Sequence, residues 1–226
     1  MPGISGSARH HARRSVLAFA GLAVIVARAG DGRLGWLDQA VIGMIQKGRH
    51  PGAVTAARAV SALAEPRFVV FPVAVATAAV GRRAGWRQAC VPCLTVVGGA
   101  AVRRLLSRAI ARPRPPAAVW LTEPEGFSMP SKHTSLAALT AGTCAVGSAA
   151  TGGLGGHGAA LLAAAGVGAS RVYLGVHWPT DVLAAWIFAE AWLQLGEALI
   201  PELAPSAKVS RAWPHRHPAK ELYQHA

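Results

Sequence analysis

Six apolar stretches constrain this chain more than any other feature: Ser15–Ala27, Phe68–Val80, Ala89–Val102, Thr134–Ala150, Leu154–Gly168 and Val182–Ile200. Several fall a little short of the roughly 20 residues that cross a bilayer as a helix, unless the small residues flanking them are counted. A soluble chain of 226 residues would have to bury all six in one core. With 52% hydrophobic and only 15% charged residues, too little polar surface remains to cover it. The abundance of Ala and Gly lets helices approach closely where lipid supplies no hydrophobic drive between them. The expected fold is therefore all-α: a polytopic membrane helical bundle of about six transmembrane helices with a short interfacial helical segment.

That segment is Trp36 to Glu65, where apolar residues alternate with Lys47, Arg49, His50 and Arg58, and Pro51 interrupts. It reads as one or two short helices lying at the interface, with Trp36 as a headgroup-level anchor. The basic residues from His10 to Arg14 before the first apolar stretch resemble a signal peptide, but Arg28-Ala-Gly-Asp31 is a poor cleavage site, so the stretch is kept as a span. The expected organisation is a basic cytoplasmic N-terminus over 1–14, one membrane domain over 15–200 and a basic C-terminal tail over 201–226.

Lys and Arg number 23 against 10 Asp and Glu, a formal charge of +13, which favours anionic partners. Phospholipid fits and nucleic acid does not, since a nucleic-acid binder has no use for lipid-length apolar segments. Cys90, Cys93 and Cys144 are odd in number and lie in or beside apolar stretches, so they read as packing residues. Lys/Arg counts set the orientation. Arg9, Arg13 and Arg14, then Arg82, Arg83 and Arg87, then Lys208, Arg211, Arg216 and Lys220 fall on one side, the cytoplasm.

On the opposite side three polar clusters converge: Arg103 to Pro115 ends the third span, Met129 to Ser135 opens the fourth, and Ser170 to Asp181 joins the fifth to the sixth. Together they offer Arg108, Arg112, Arg114, Lys132 and Arg171 as cations, His133 and His177 as titratable groups, and Asp181 as the lone acid. Several arginine forks around one spot make a phosphoryl cradle. Ser131 and the N–H groups opening the fourth helix add neutral donors. A carboxylate four residues after a histidine can fix its tautomer and leave the other ring nitrogen free to attack. His177 is then the candidate nucleophile, Asp181 its orienting partner, and His133 the acid that protonates the leaving oxygen. Each piece also has a plainer reading: His177 and Asp181 as a helix-start hydrogen bond, Arg-Pro-Arg-Pro as a basic membrane flank, Ser131 as an N-cap.

These residues resemble the type-2 phosphatidic acid phosphatase superfamily, whose signature runs Lys-x6-Arg-Pro, Pro-Ser-Gly-His and Ser-Arg-x5-His-x3-Asp. The third part is complete as Ser170, Arg171, His177 and Asp181; the second reads Pro130-Ser131-Lys132-His133, with lysine for glycine. In the first, Arg114-Pro115 is present but Ser107 stands where the family has its lysine, leaving Arg108 or Arg104 to substitute. The resemblance implies a metal-free and cofactor-free phosphatase acting through a phosphohistidine on a lipid phosphate or diphosphate, of the prenyl diphosphate, phosphatidic acid or phosphatidylglycerol phosphate class. It implies catalysis by His177, His133 and Asp181, phosphate binding by Arg171, Arg114, Ser131, Lys132 and Arg108, and a place in a bacterial plasma membrane with the site facing outward. Two alternatives stay open: a phosphotransferase to an alcohol acceptor using the same site, and a non-catalytic membrane protein that binds lipid phosphate.

Overall fold

The computed structural model describes residues 6–149 and 155–199, and the described residues are helical, with no strand among them. Six long helices stand where the six apolar stretches predict them: α1 (Gly6–Gly30), α4 (Pro66–Ala84), α5 (Trp86–Ile110), α6 (Lys132–Ala149), α7 (Gly155–Tyr173) and α8 (Pro179–Leu199). The short segment between the first two becomes α2 (Gly35–Lys47) and α3 (Pro51–Ala62). The basic tail expected over 201–226 lies outside the described residues.

The punctuation is local chemistry. Pro51 and Pro66 occupy the first turns of α3 and α4, where a missing N–H costs nothing. His50 caps α3 by accepting the Gly52 N–H at Nδ1, 3.2 Å away. Ala111, left-handed at φ 49°, ends α5, and the prolines of Arg-Pro-Arg-Pro prevent its renewal. Each arginine preceding a proline is thereby held in extended backbone.

The pole of the bundle is α8. Its Ala184, Phe188 and Ala189 are buried in one cluster with Leu22 of α1, Val69 and Val73 of α4, Val96 of α5 and Leu139 of α6. Small residues set the spacing: a Cβ on Gly142 of α6 would come within 2.3 Å of Leu193 Cδ1 on α8. Among the described helices the most extensive contact joins α1 to α8, pinned by Ser15 Oγ donating to the Ala191 carbonyl at 2.9 Å.

By length and hydropathy α5 from Gln88 and α8 each qualify as membrane spans, and α1 with α2 (bent 79°) and α3 with α4 (bent 47°) qualify as bent pairs, giving two to four spans among the described residues. Against the expected six, the described part of α7 counts as a shorter apolar helix, Leu161–Tyr173, and α6 is not among the qualifying spans. Exposed Val70, Phe71 and Val75 on α4 and Leu94, Val97 and Leu105 on α5 supply an apolar surface that suits lipid.

The segment read as interfacial folds over one end of the bundle, where α3 packs on α7 and α2 touches α7 and α8. Arg49 and Arg58 hold it there. Arg49 Nη2 donates to the Val119 and Tyr173 carbonyls at 2.7 and 3.2 Å, and Arg58 Nη2 to the Leu121 carbonyl at 2.7 Å. The end it covers is the one that gathers the three polar clusters.

Candidate active site

The start of α8 builds the centre. Asp181, in its first turn, is fully buried, and its Oδ2 accepts the Trp178 N–H at 2.8 Å and a short hydrogen bond from Ser128 Oγ. Its Oδ1 accepts from Arg112 Nη1 at 2.6 Å. An ionised carboxylate at a helix N-terminus with three donors is well supported despite its burial.

His177, 1% exposed, stands against it. Its Nδ1 is 3.5 Å from Asp181 Oδ2, close enough for charge attraction but long for a hydrogen bond. Its Nε2 is 3.1 Å from Arg114 Nη1. Arginine can only donate, so Nε2 carries the lone pair and the ring proton sits on Nδ1, facing Asp181. Burial, reinforced by Arg114 and Arg171 and opposed by Asp181, holds the imidazole pKa down to about 4. At neutral pH the ring is uncharged, as a nucleophile requires.

The two arginines of Arg-Pro-Arg-Pro divide the labour. Arg112 is spent on structure: besides Asp181 it donates to Thr180 Oγ1 at 2.7 Å and to Asp38 Oδ2 at 2.6 Å. Arg114 faces His177, anchored by the Val176 carbonyl at 2.6 Å and by the carbonyls of Glu125, Gly126 and Phe127. Burial lowers its pKa, with Asp181 acting against that shift and Arg103 adding to it. Extended backbone sends alternate side chains to one side, which lets both guanidiniums reach the turn between α7 and α8.

Asp181 is consequently not the lone acid, as the sequence reading had it. Asp38 of α2, 1% exposed, accepts the Thr180 N–H at 3.0 Å and the Thr180 hydroxyl at 2.7 Å, and shares Arg112 with Asp181. Sequence reasoning missed it because its partners lie 74 and 142 residues away. One signal was there: Asp38 is the single acid of α2, one turn into a largely apolar helix whose other charge, Lys47, lies at its far end, and such an acid is a functional candidate.

Arg171 is buried with Nη1 donating to Ser61 Oγ of α3 at 2.8 Å, while its Nε has no partner, nor does the buried Ser135 hydroxyl. Unmet buried donors carry a cost that an anion would remove. His133, half-buried in the first turn of α6, lies within electrostatic range of His177, Arg171, Lys132 and Arg114. Ser131 is fully buried, its N–H donating to the Asp181 carbonyl at 3.2 Å and its Oγ accepting from Thr134 Oγ1 at 3.0 Å, so it also ties α6 to α8. Lys132 is half exposed, 3.4 Å from Glu125 Oε2, and Arg108 is exposed on α5.

Both of these cations line the mouth of a cavity of about 990 Å³ between α4, α5 and α6. Its walls are apolar, with Val69, Val73, Val96 and Val97 among them, and its site end carries Arg103, Arg104, Ser107 and Ser135. A neutral, tautomer-fixed histidine beside a buried arginine with an unpartnered donor, in a membrane bundle that also holds an apolar cleft rimmed by cations, belongs to an integral membrane phosphohydrolase.

Comparison with known proteins sharpens that class. Residues 88–202, slightly more than half of the chain, match the PAP2 superfamily, and the chain belongs to it. No curated protein matches the sequence. Among solved structures the chain is similar to the first transmembrane PAP2-type phosphatidylglycerolphosphate phosphatase from Bacillus subtilis, with a TM-score of 0.73 and 22% identity over 85% of this chain and 98% of that one. At that identity the likeness is one of fold.

Proposed function

We propose that the chain hydrolyses a lipid phosphate or diphosphate at the outer face of a bacterial plasma membrane, through a covalent phosphohistidine on His177. The observation that carries this reading is the buried, uncharged imidazole whose Nε2 lone pair points at Arg114 rather than at a protein acid. When a phosphate enters, Arg114 and the unpartnered Nε of Arg171 have its oxygens to donate to, and Nε2 is released toward phosphorus. Attack forms the N–P bond and breaks the P–O bond to the lipid, while His133, whose pKa burial and the surrounding cations hold down to about 3 in the free site, passes to the departing oxygen a proton it takes from the monoprotonated phosphate. His133 then takes a proton from water, which attacks phosphorus, breaks the N–P bond and frees inorganic phosphate. Asp181, 3.5 Å from Nδ1, keeps the ring proton on that nitrogen and stabilises the positive charge that develops on the ring.

Guanidinium groups supply the positive charge that other phosphatases take from metal ions, so EDTA is expected to leave turnover intact. The apolar cleft supports a lipid substrate, since tails can remain among valines while the headgroup reaches the cations. The structural neighbour's own substrate supports phosphatidylglycerol phosphate as one member of the panel, beside prenyl diphosphates and phosphatidic acid. The test is phosphate release by purified protein in detergent. His177→Ala and His133→Ala each should abolish it, and wild type quenched in alkali should carry an acid-labile phosphoryl group that His177→Ala lacks. Turnover by His177→Ala at the wild-type rate would remove the nucleophile and the reading with it.

A further inference from the structure

Arg103 has no role in the chemistry above, yet it is the half-buried member of the cationic group at the mouth of the cleft; Arg104 and Arg108 are exposed. Its Nη1 donates to the Pro130 carbonyl at 3.2 Å, immediately before Ser131 and His133. Among the described residues no carboxylate forms an ion pair with it. Arg104 and Arg108 line the same cleft, both positive, and the one carboxylate there, Glu125, is paired with Lys132. A guanidinium partly withdrawn from water among like charges is costly to keep. Its missing counter-charge is an anion that arrives from outside.

The place of that anion follows from geometry. Arg103 reaches the Pro130 carbonyl, three residues before His133, and lines the cleft with Ser107 and Ser135, whereas His133, His177, Arg114 and Arg171 are not among the cleft's lining residues. Arg103 therefore stands one step out from the reacting phosphorus, on the side where the cleft wall turns from Ser107 to valines. Four residues of helix separate it from Ser107, a rise of about 6 Å that an arginine side chain can climb toward the polar end. An anion held there lies between the scissile phosphate and the tails.

We infer that Arg103 binds the tail-proximal phosphate of a lipid that carries two, and that the site selects such lipids over those with a single phosphate. The inference rests on the phosphatase reading and names its substrate class: a prenyl diphosphate, or a phosphodiester lipid ending in a phosphomonoester. Phosphatidic acid, with one phosphate, leaves Arg103 without its counter-charge.

The experiment compares full-length protein in detergent on a prenyl diphosphate, phosphatidylglycerol phosphate and phosphatidic acid, for wild type, Arg103→Gln and Arg103→Lys. Gln keeps a donor for the Pro130 carbonyl but drops the charge; Lys keeps the charge. Wild type should favour both two-phosphate lipids in kcat/KM. Arg103→Gln should lose about tenfold or more of that preference, as expected for one hydrogen bond to a charged group, chiefly through KM. Arg103→Lys should recover part of it. Equal losses on all three lipids, or no loss, would overturn the inference in favour of a residue that only supports the Pro130 turn. Binding of a non-hydrolysable alkyl diphosphonate against an alkyl monophosphonate reads the same preference without turnover. If wild type releases no phosphate, the phosphatase reading fails. If it binds the diphosphonate no more tightly than the monophosphonate, the selectivity fails, whether or not hydrolysis occurs.

Discussion

At the scale of single residues, the two neighbouring arginines of one short extended segment have different duties, and substitution separates them. Arg112→Ala would strand two buried carboxylates, Asp38 and Asp181, and the loss of one partner from a buried ion cluster costs about 3–5 kcal/mol. Chemical or thermal unfolding should show that loss. Arg114→Ala removes a donor that faces His177, the proposed nucleophile, so its effect should fall on kcat, by about 100- to 1,000-fold, with a smaller change in stability. The reverse pattern would mean that the roles are exchanged. His177 and Asp181 were legible in the sequence because a separation of four is a local relation that a helix start makes spatial. Asp38 and Ser61 were not, because their partners come from distant helices and spacing carries no record of that pairing. Arg112 and Arg114 look alike in sequence, and their division became visible only through the acids they meet.

At the scale of elements, the turn from α7 to α8 depends on Gly175. Its φ is +75°, and a Cβ there would come within 2.1 Å of the Val119 carbonyl oxygen, a backbone atom held in a loop with little room to retreat. The same loop is tied back by Leu121 N–H donating to the Leu174 carbonyl at 2.9 Å. Gly175→Ala should therefore push the turn away from the Trp120 loop, lowering the unfolding midpoint and, because His177 lies two residues on, the turnover rate. A variant with unchanged stability and rate would show that the turn is not what positions the histidine. The long helices were readable from their apolar runs. The docking of α2 and α3 was not, since alternating apolar and basic residues suit a lipid interface and the end of a protein bundle equally well, and the carbonyls that bind Arg49 and Arg58 belong to loops far along the chain.

At the scale of the whole molecule, the site occupies one end of the bundle and the hairpin at Gly85 between α4 and α5 the other, since α5 runs from that hairpin to Arg108. Its 25 residues rise about 37 Å, enough to cross a bilayer. The basic residues Arg82 and Arg83 beside the hairpin support a cytoplasmic hairpin and an outward site. In a background without the three native cysteines, Glu123→Cys should react with an impermeant maleimide in intact cells, and Arg83→Cys only after lysis. Labelling in the opposite order would invert the orientation. The clasp between α1 and α8 has a consequence in time. Of the described helices α1 emerges before the rest, yet it finds its main partner only when α8 is made, with Ser15 waiting for a carbonyl 176 residues later. The setting of His177, the proposed nucleophile, also needs the head of α8. A ribosome stalled anywhere before that helix holds a chain without Asp181, so the proposed chemistry becomes possible in a single step, when α8 is made.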